Sequence, residues 1–255
     1  MYVSRMKKWR NMLKSKKNFF LSLVNKAHEL NHANILSLLE RNADAALLDL
    51  GCSDGNWTMA VAQKIGTNDI HGIEIYGNNA KIANSKGIRV YQGDLNDPFP
   101  LDSSSIDVIH ANQVIEHVAS IDNFLSEIKR VLKPQGYAVV STENGSSWHN
   151  IIASIMGWQT FSSANIIAHV KDGIGNPLAS CRGQEGLYPA SWAHKVIFNY
   201  LGLLETFEAY GFENVEILSA GYHPFSPKLA LIDKRHGHFI TIKAYKPTDG
   251  DPVRN

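Results

Sequence analysis

Cysteine is almost missing from this chain. Its 255 residues include two, Cys52 and Cys181, and Cys52 lies in a glycine-containing turn where a disulfide would obstruct a ligand. A disulfide scaffold is excluded, and two lone thiols suit a reducing cytoplasm, the expected location. Long apolar runs are missing as well. None approaches the ~20 residues that span a bilayer. Phe19 to Val24 is too short and is followed by no small-residue cleavage site, so neither a spanning helix nor a secretory signal is expected. There is no internal repeat and no metal-finger spacing. Charge is not in excess: a formal net charge of +1 argues against a broad nucleic-acid surface.

What remains is ordinary for a globular chain. Hydrophobic residues make up 44% and charged residues 19%, and the length suffices for one full core with an added lid. The charge is uneven, however. Arg5, Lys7, Lys8, Arg10, Lys14, Lys16, Lys17 and Lys26 all precede the first acid, Glu29. A solvated helix covering the core is the expectation for this start, with peripheral contact to an anionic membrane or to RNA as the alternative.

Hydrophobic spacing orders the chain. Residues 1–42 read as a helical cap through Phe19, Leu21, Val24, Ala27, Ile35, Leu38 and Leu39. Strands are predicted at Ala46–Leu50, Ile70–Ile75, Arg89–Gln92, Ile106–Ala111 and Tyr137–Thr142. Helices are predicted over Asn56–Lys64, Asn78–Ser85 and Ile121–Leu132, the last stopped by Pro134 and Gly136. Residues 145–193 break the pattern. They are rich in Ser, Gly, Asn and aromatics, with one helix near 147–156, and read as an inserted lid. A helix over Val196–Tyr210 and strands at Val215–Ser219 and His238–Tyr245 close the chain, before a frayed tail from Lys246. Strands alternating with helices imply an α/β fold: a mostly parallel sheet with helices on both faces.

The most informative stretch is Leu47-Leu48-Asp49-Leu50-Gly51-Cys52-Ser53-Asp54-Gly55. It is a buried strand entering a glycine turn, followed by a helix. Glycine lets the backbone approach a ligand closely, and strand–turn–helix is the nucleotide-binding opening of doubly wound α/β domains. The turn alone does not say which nucleotide.

The first turn, with Glu74 at the end of the second strand, Gly93-Asp94-Leu95, and Arg130-Val131-Leu132-Lys133-Pro134-Gln135-Gly136, resembles the class I S-adenosylmethionine-dependent methyltransferases. Within them it is most similar to the small-molecule branch that includes the ubiquinone-type O-methyltransferases. The resemblance covers about residues 45–145 and implies a Rossmann-like, seven-stranded sheet, with residues 43–255 as the methyltransferase domain. It also implies S-adenosylmethionine as cofactor. Asp49 would anchor the amino end of the methionyl tail. Gly51, Cys52, Ser53 and Gly55 would shape its bed. Glu74, with Ile75 beside it, would accept from the ribose hydroxyls. Asp94 would accept from the adenine amino group, the Leu95 N–H would donate to a ring nitrogen, and Asn112 would meet the methionine moiety. Because this cofactor carries no phosphate, a strict G-x-G-x-x-G is not required, and Ser53 stands where one common variant has glycine.

Methyl transfer asks the protein mainly to align acceptor and methyl about 3–3.5 Å apart and to remove a proton from a hydroxyl or ammonium acceptor. The candidate bases are His117, His149 and His194, with His223 weaker and Arg235, His236 and His238 set aside. Gln113-Val114-Ile115-Glu116-His117 resembles the Glu-x-x-Glu-His element that the ubiquinone-type enzymes use toward a divalent metal. Here the first acid is an amide, a weaker ligand for a hard cation, so no metal is expected, and Glu116 is expected to help start the following helix. Trp148, Trp158 and Phe161 would either wall an apolar acceptor pocket or form the lid's own core. The function expected is methyl transfer to a small-molecule or lipid-linked acceptor, at oxygen. The alternatives are an RNA methyltransferase, disfavoured because Asn112-Gln113-Val114-Ile115 replaces an Asn-Pro-Pro-Tyr-like motif, and a dinucleotide-dependent oxidoreductase.

Overall fold

In a computed structural model of the protein, which describes residues 22–164, 166, 175–179 and 192–248, the alternating elements form one seven-stranded sheet of order β3-β2-β1-β4-β5-β7-β6. The strands are β1 (Ala46–Leu50), β2 (Asp69–Glu74), β3 (Arg89–Gln92), β4 (Ile106–Asn112), β5 (Leu132–Glu143), β6 (Glu213–Ala220) and β7 (Phe239–Tyr245). The first five run parallel, and β7 lies antiparallel between β5 and β6. The strand order reverses between β1 and β4, and in open α/β sheets the crevice beyond the strand ends at such a reversal is where ligands bind.

The helices are α1 (22–38), α2 (Asn56–Ile65), α3 (Gly77–Ser85), α4 (Ile121–Val131), α5 (Trp148–Ile155) and α6 (Tyr200–Ala209). Successive strand side chains point to opposite faces. Leu47, Tyr137 and Val139 therefore join Ile35, Val61 and Ala83 on the face covered by α1–α3, while Leu48, Leu50 and Val140 join Phe124, Leu203 and Phe207 on the face covered by α4 and α6. Helix α1 is also pinned by a buried polar network. Asn31 Oδ1 accepts from Ser141 Oγ (3.0 Å) and Thr241 Oγ1 (2.8 Å), and its Nδ2 donates to Asn112 Oδ1 (3.3 Å). Of the basic start, residues 1–21 lie outside the described residues, as do 249–255 of the tail. Among the described residues no helix is long and apolar enough to cross a membrane.

Two element boundaries differ from expectation for identifiable reasons. Helix α4, capped by the Ser120 hydroxyl accepting from the Asn123 N–H, ends at Val131 because Leu132 already pairs with Ile106; pairing resumes at Val108 and Tyr137, and Pro134 to Gly136 occupy the irregularity between. Proline is tolerated in a strand at such a bulge. The helix expected from Val196 begins only at Tyr200. Residues 194–199 run extended: Lys195 N–H donates to Glu116 O (2.7 Å), Gly145 N–H donates to Phe198 O (2.8 Å), and Phe198 bridges Asn144. Backbone pairing with the ends of other elements overrides the helical spacing there.

Candidate functional site

A cavity of about 590 Å³ lies beyond the carboxyl ends of β1–β4, within the size range of small-molecule sites. Gly51 and Ser53 of the first turn form one wall. Glu74, Ile75, Tyr76 and Asn79 form the next, and Gly93 to Asn96 close the far end. Val114, His117, Val118, Trp192 and Lys195 supply the remaining side.

The turn is held from within. Gly51 and Cys52 donate their N–H groups to Ile73 O (2.9 and 3.2 Å), and Gly55 donates to Cys52 O (2.9 Å). Ser53 N–H donates to Glu74 Oε2 (2.9 Å), and Asn56 N–H to Asp54 Oδ1 (3.0 Å). Phosphate-binding turns work by presenting such N–H groups to the anion. Here those of Gly51, Cys52, Ser53, Gly55 and Asn56 are all committed inside the chain, and the cavity displays two carboxylates, Glu74 and Asp94. A cationic nucleoside without phosphate fits that donor and acceptor set; a pyrophosphate does not.

Glu74 is buried, and its second oxygen accepts from Tyr76 N–H (2.8 Å). Asp94 is exposed, with Oδ1 accepting from Asn96 N–H (2.9 Å) and Nδ2 (2.7 Å). Six of the sequence-predicted cofactor residues, Gly51, Ser53, Glu74, Ile75, Asp94 and Leu95, share the cavity wall.

Four others stand behind it. Asp49 is buried under the turn, accepting from Thr58 Oγ1 and bonded to His110 Nδ1 (2.7 Å). Trp57 Nε1 donates to His110 Nε2 (3.2 Å); indole N–H only donates, so His110 carries its proton on Nδ1 and donates it to Asp49. Cys52 turns its sulfur toward Gly72, where an added Cβ would meet Sγ at 2.6 Å. Burial, then the nearby Asp49 and Glu74, push its thiol up to about 12. Gly55 has φ 80°, and a Cβ there would meet Ile88 Cδ1 at 2.5 Å and Ala83 Cβ at 3.1 Å, so its small size serves packing against α3 and the turn after it rather than approach to a ligand. Asn112 belongs to the Asn31 network.

The three candidate bases separate. His117 lines the cavity, and His194 packs edge-on against it with ring centroids 4.9 Å apart. His117 Nδ1 faces the Ala193 carbonyl (3.3 Å) and His194 Nδ1 the Ser162 carbonyl (2.6 Å). A carbonyl only accepts, so each ring donates from Nδ1, and a neutral His117 keeps a lone pair on Nε2. Burial and, secondarily, the neighbouring His194 hold His117 down to about 4. Glu116 does not start α4, whose cap is Ser120. It is buried, accepts from Thr142 Oγ1 (2.9 Å), and is pushed up to about 7 chiefly by burial. One ligand atom each of Glu116, His117 and His194 falls within 4.8 Å of the others, a grouping that suits proton exchange and also a divalent cation. His149 lies elsewhere, buried against Phe161 and His223.

Trp148, Trp158 and Phe161 are not on the cavity wall. Trp148 Nε1 donates to Asp233 Oδ2 (2.8 Å) and its ring packs on Phe225 and His236, while Phe161 packs on His149. Trp158 is likewise absent from the lining; Trp192 is the tryptophan that reaches the cavity. Tyr76 and Asn79 escaped sequence reasoning, although their place just past the second strand's acid is where such sheets bind ligands. Trp192 and Lys195 carried no local signal; Lys195 is placed by its Nζ donating to the His117 carbonyl (2.7 Å).

Comparison with known proteins agrees with this geometry. The model of the methyltransferase-domain family matches residues 23–217. The chain is 24% identical over 201 residues to a demethylmenaquinone methyltransferase of Staphylococcus carnosus, covering 75% of this chain and 78% of the relative. It is 31% identical over 117 residues to sterol 4-C-methyltransferase strm-1 of Caenorhabditis elegans, covering 43% of this chain and 34% of that one. Among solved structures, an S-adenosylmethionine-dependent methyltransferase of Thermotoga maritima, described as a possible histamine N-methyltransferase, superposes with a TM-score of 0.59 at 19% identity, covering 92% of this chain and 96% of that one. The oxidoreductase alternative falls with these matches. A turn with the N–H groups of Gly51 to Ser53, Gly55 and Asn56 committed internally, an acid at the end of β2 and a family match across most of the fold place the chain in the methyltransferase-domain family, as an S-adenosylmethionine-dependent methyltransferase.

Proposed function

We propose that this enzyme methylates a hydroxyl of a small, apolar or lipid-linked acceptor in the cytoplasm, with the cofactor held across the cavity from Gly51 to Leu95. The observation that carries the reading is the pairing of an internally satisfied turn with the two cavity carboxylates Glu74 and Asp94. Each Glu74 oxygen accepts one backbone N–H and retains capacity for a ribose hydroxyl. Asp94 accepts from the adenine amino group and Leu95 N–H donates to a ring nitrogen. Gly51 and Ser53 pass the methionyl tail, Ile75 flanks the ribose, and Asp49, Cys52, Gly55 and Asn112 hold that wall in shape from behind. When bound, the cofactor supplies a methyl on a sulfonium, already a good leaving group.

On the acceptor side, His117 takes the hydroxyl proton on Nε2. Its own affinity for that proton is held low by burial and by His194, so the carboxylate of Glu116 in the same group supplies the charge that stabilises the imidazolium as it forms. The apolar wall of Val114, Val118 and Trp192 favours an apolar acceptor; the sterol relative's name puts its methyl on carbon, so the product must carry the label on oxygen, and label on carbon overturns the choice of atom. Of the expected cap (1–42) and lid (145–193), residues 22–38 cover one face of the sheet as α1 and Trp192 reaches the wall; residues 1–21, 165, 167–174 and 180–191 lie outside the described residues. The test is transfer of labelled methyl to a panel of hydroxylated quinones, sterols and phenols, set beside amines and RNA. Turnover of a hydroxyl acceptor that falls about 10²–10⁴-fold in His117→Ala, the range for loss of a general base, supports the reading. Turnover confined to amines or RNA overturns the choice of acceptor, and turnover indifferent to His117 overturns the base.

A further inference from the structure

Away from the cavity, three histidines from separate segments meet in the interior. His149 lies in the first turn of α5, His223 in the loop after β6, and His238 directly before β7. All are buried, at 4–5% exposure. Their ring centroids lie 4.4 Å (His149–His238), 4.5 Å (His149–His223) and 4.9 Å (His223–His238) apart. One ring nitrogen of each falls within 4.8 Å of the other two. We propose that His149, His223 and His238 form a three-imidazole site for a divalent transition metal of the zinc class.

The chemistry of the donors selects the ion. Three imidazoles suit zinc, cobalt, nickel or copper, and without a carboxylate they are a poor site for magnesium or calcium. Zinc–nitrogen bonds of about 2.0–2.1 Å put tetrahedral ligands roughly 3.4 Å apart, so the rings must close by little more than an ångström. Neutral imidazole is the ligating form. Ser147 Oγ lies 3.4 Å from His149 Nε2, the kind of outer partner that fixes ring orientation in histidine metal sites. The cluster also joins pieces that the fold already ties together: Asn144 Nδ2 donates to the Arg235 and Gly237 carbonyls (2.8 and 2.9 Å) beside it. A metal here clasps α5 to the ends of β6 and β7.

The second grouping, Glu116, His117 and His194, is the competitor that the experiment must separate. The full-length protein is stripped with a chelator and titrated with Co²⁺ alone, then with Zn²⁺ in competition. The expected result is one equivalent bound with the intense visible bands of tetrahedral cobalt, persisting in the His117→Ala, His194→Ala double variant and at least ~100-fold weaker in His223→Ala. Long-range proton–nitrogen spectra of zinc-loaded wild-type protein provide a readout independent of any variant: three perturbed imidazoles, against two for the competing group. No bound metal, bands lost in the double variant, bands indifferent to His223→Ala in a folded protein, or two perturbed rings overturns the proposal.

Discussion

Glu74 has two tasks, and Glu74→Gln separates them from the single task of Asp94. In the protein, Glu74 Oε2 accepts from Ser53 N–H at 2.9 Å and Oε1 from Tyr76 N–H at 2.8 Å, in a buried setting. Glutamine keeps one acceptor oxygen and turns an NH₂ toward the other N–H. One charge-assisted hydrogen bond is lost and a buried donor is stranded, at a cost of about 2–4 kcal/mol. At ~2–4 °C per kcal/mol for a chain of this size, melting falls by about 4–16 °C. With the turn no longer tied to β2, S-adenosylmethionine binding weakens about 10–100-fold. Asp94→Ala breaks only an exposed turn to Asn96; melting moves by ~2 °C or less, yet binding weakens about 5–150-fold through one lost hydrogen bond of ~1–3 kcal/mol. Scanning calorimetry and titration calorimetry read the two effects. A Glu74→Gln protein that melts and binds like wild type refutes the reasoning, as does an Asp94→Ala protein that loses stability but keeps its affinity.

Further outcomes follow from buried groups outside the cavity. Arg130, followed by the Phe99 N–H, lowers the Glu127 carboxyl; its stabilisation is present above the unfolded value and lost as pH falls through the folded one. Glu127→Gln therefore costs about 1–2 kcal/mol at pH 7, and denaturant midpoints of variant and wild type converge as the solution is acidified below the ordinary carboxylate range. Glu116 has the opposite sign. Its rise from 4.5 to about 7 means that wild-type stability falls as pH climbs through that window, by up to about 3 kcal/mol at ~1.4 kcal/mol per unit. Glu116→Gln should gain on wild type between pH 4.5 and 7, and a constant difference across that range contradicts the burial account. Gly55→Ala, in a left-handed conformation with a Cβ 2.5 Å from Ile88 Cδ1, should lose about 2–4 kcal/mol from strain and overpacking, visible as a lower denaturant midpoint.

Local signals made most of this fold legible. Strand β1, helix α2 and strand β3 carry uninterrupted periodicity, and β1 and β3 end where expected because a turn residue follows each. The sheet's order depends on long-range pairing, which no local pattern encodes, and the same pairing displaced the start of α6 and the end of α4. For the site, the readable residues were those whose backbone position dictates their role: Gly51, Glu74, Asp94 and Leu95 sit at strand ends. Asp49 and Gly55 stand where expected in the chain, but the Asp49 carboxylate is turned to Thr58 and His110 and the space at Gly55 is filled by Ile88 and Ala83. Trp192, Lys195 and the pairing of His117 with His194 join segments about 75 residues apart in sequence, beyond the reach of spacing.

The most direct measurement is a crystal structure of the protein with S-adenosylhomocysteine at saturating concentration. The account predicts density across the cavity, with both ribose hydroxyls on Glu74, the adenine between Asp94 and Leu95, and the sulfur facing His117. Ligand density elsewhere, or a ribose bound without Glu74, would contradict it.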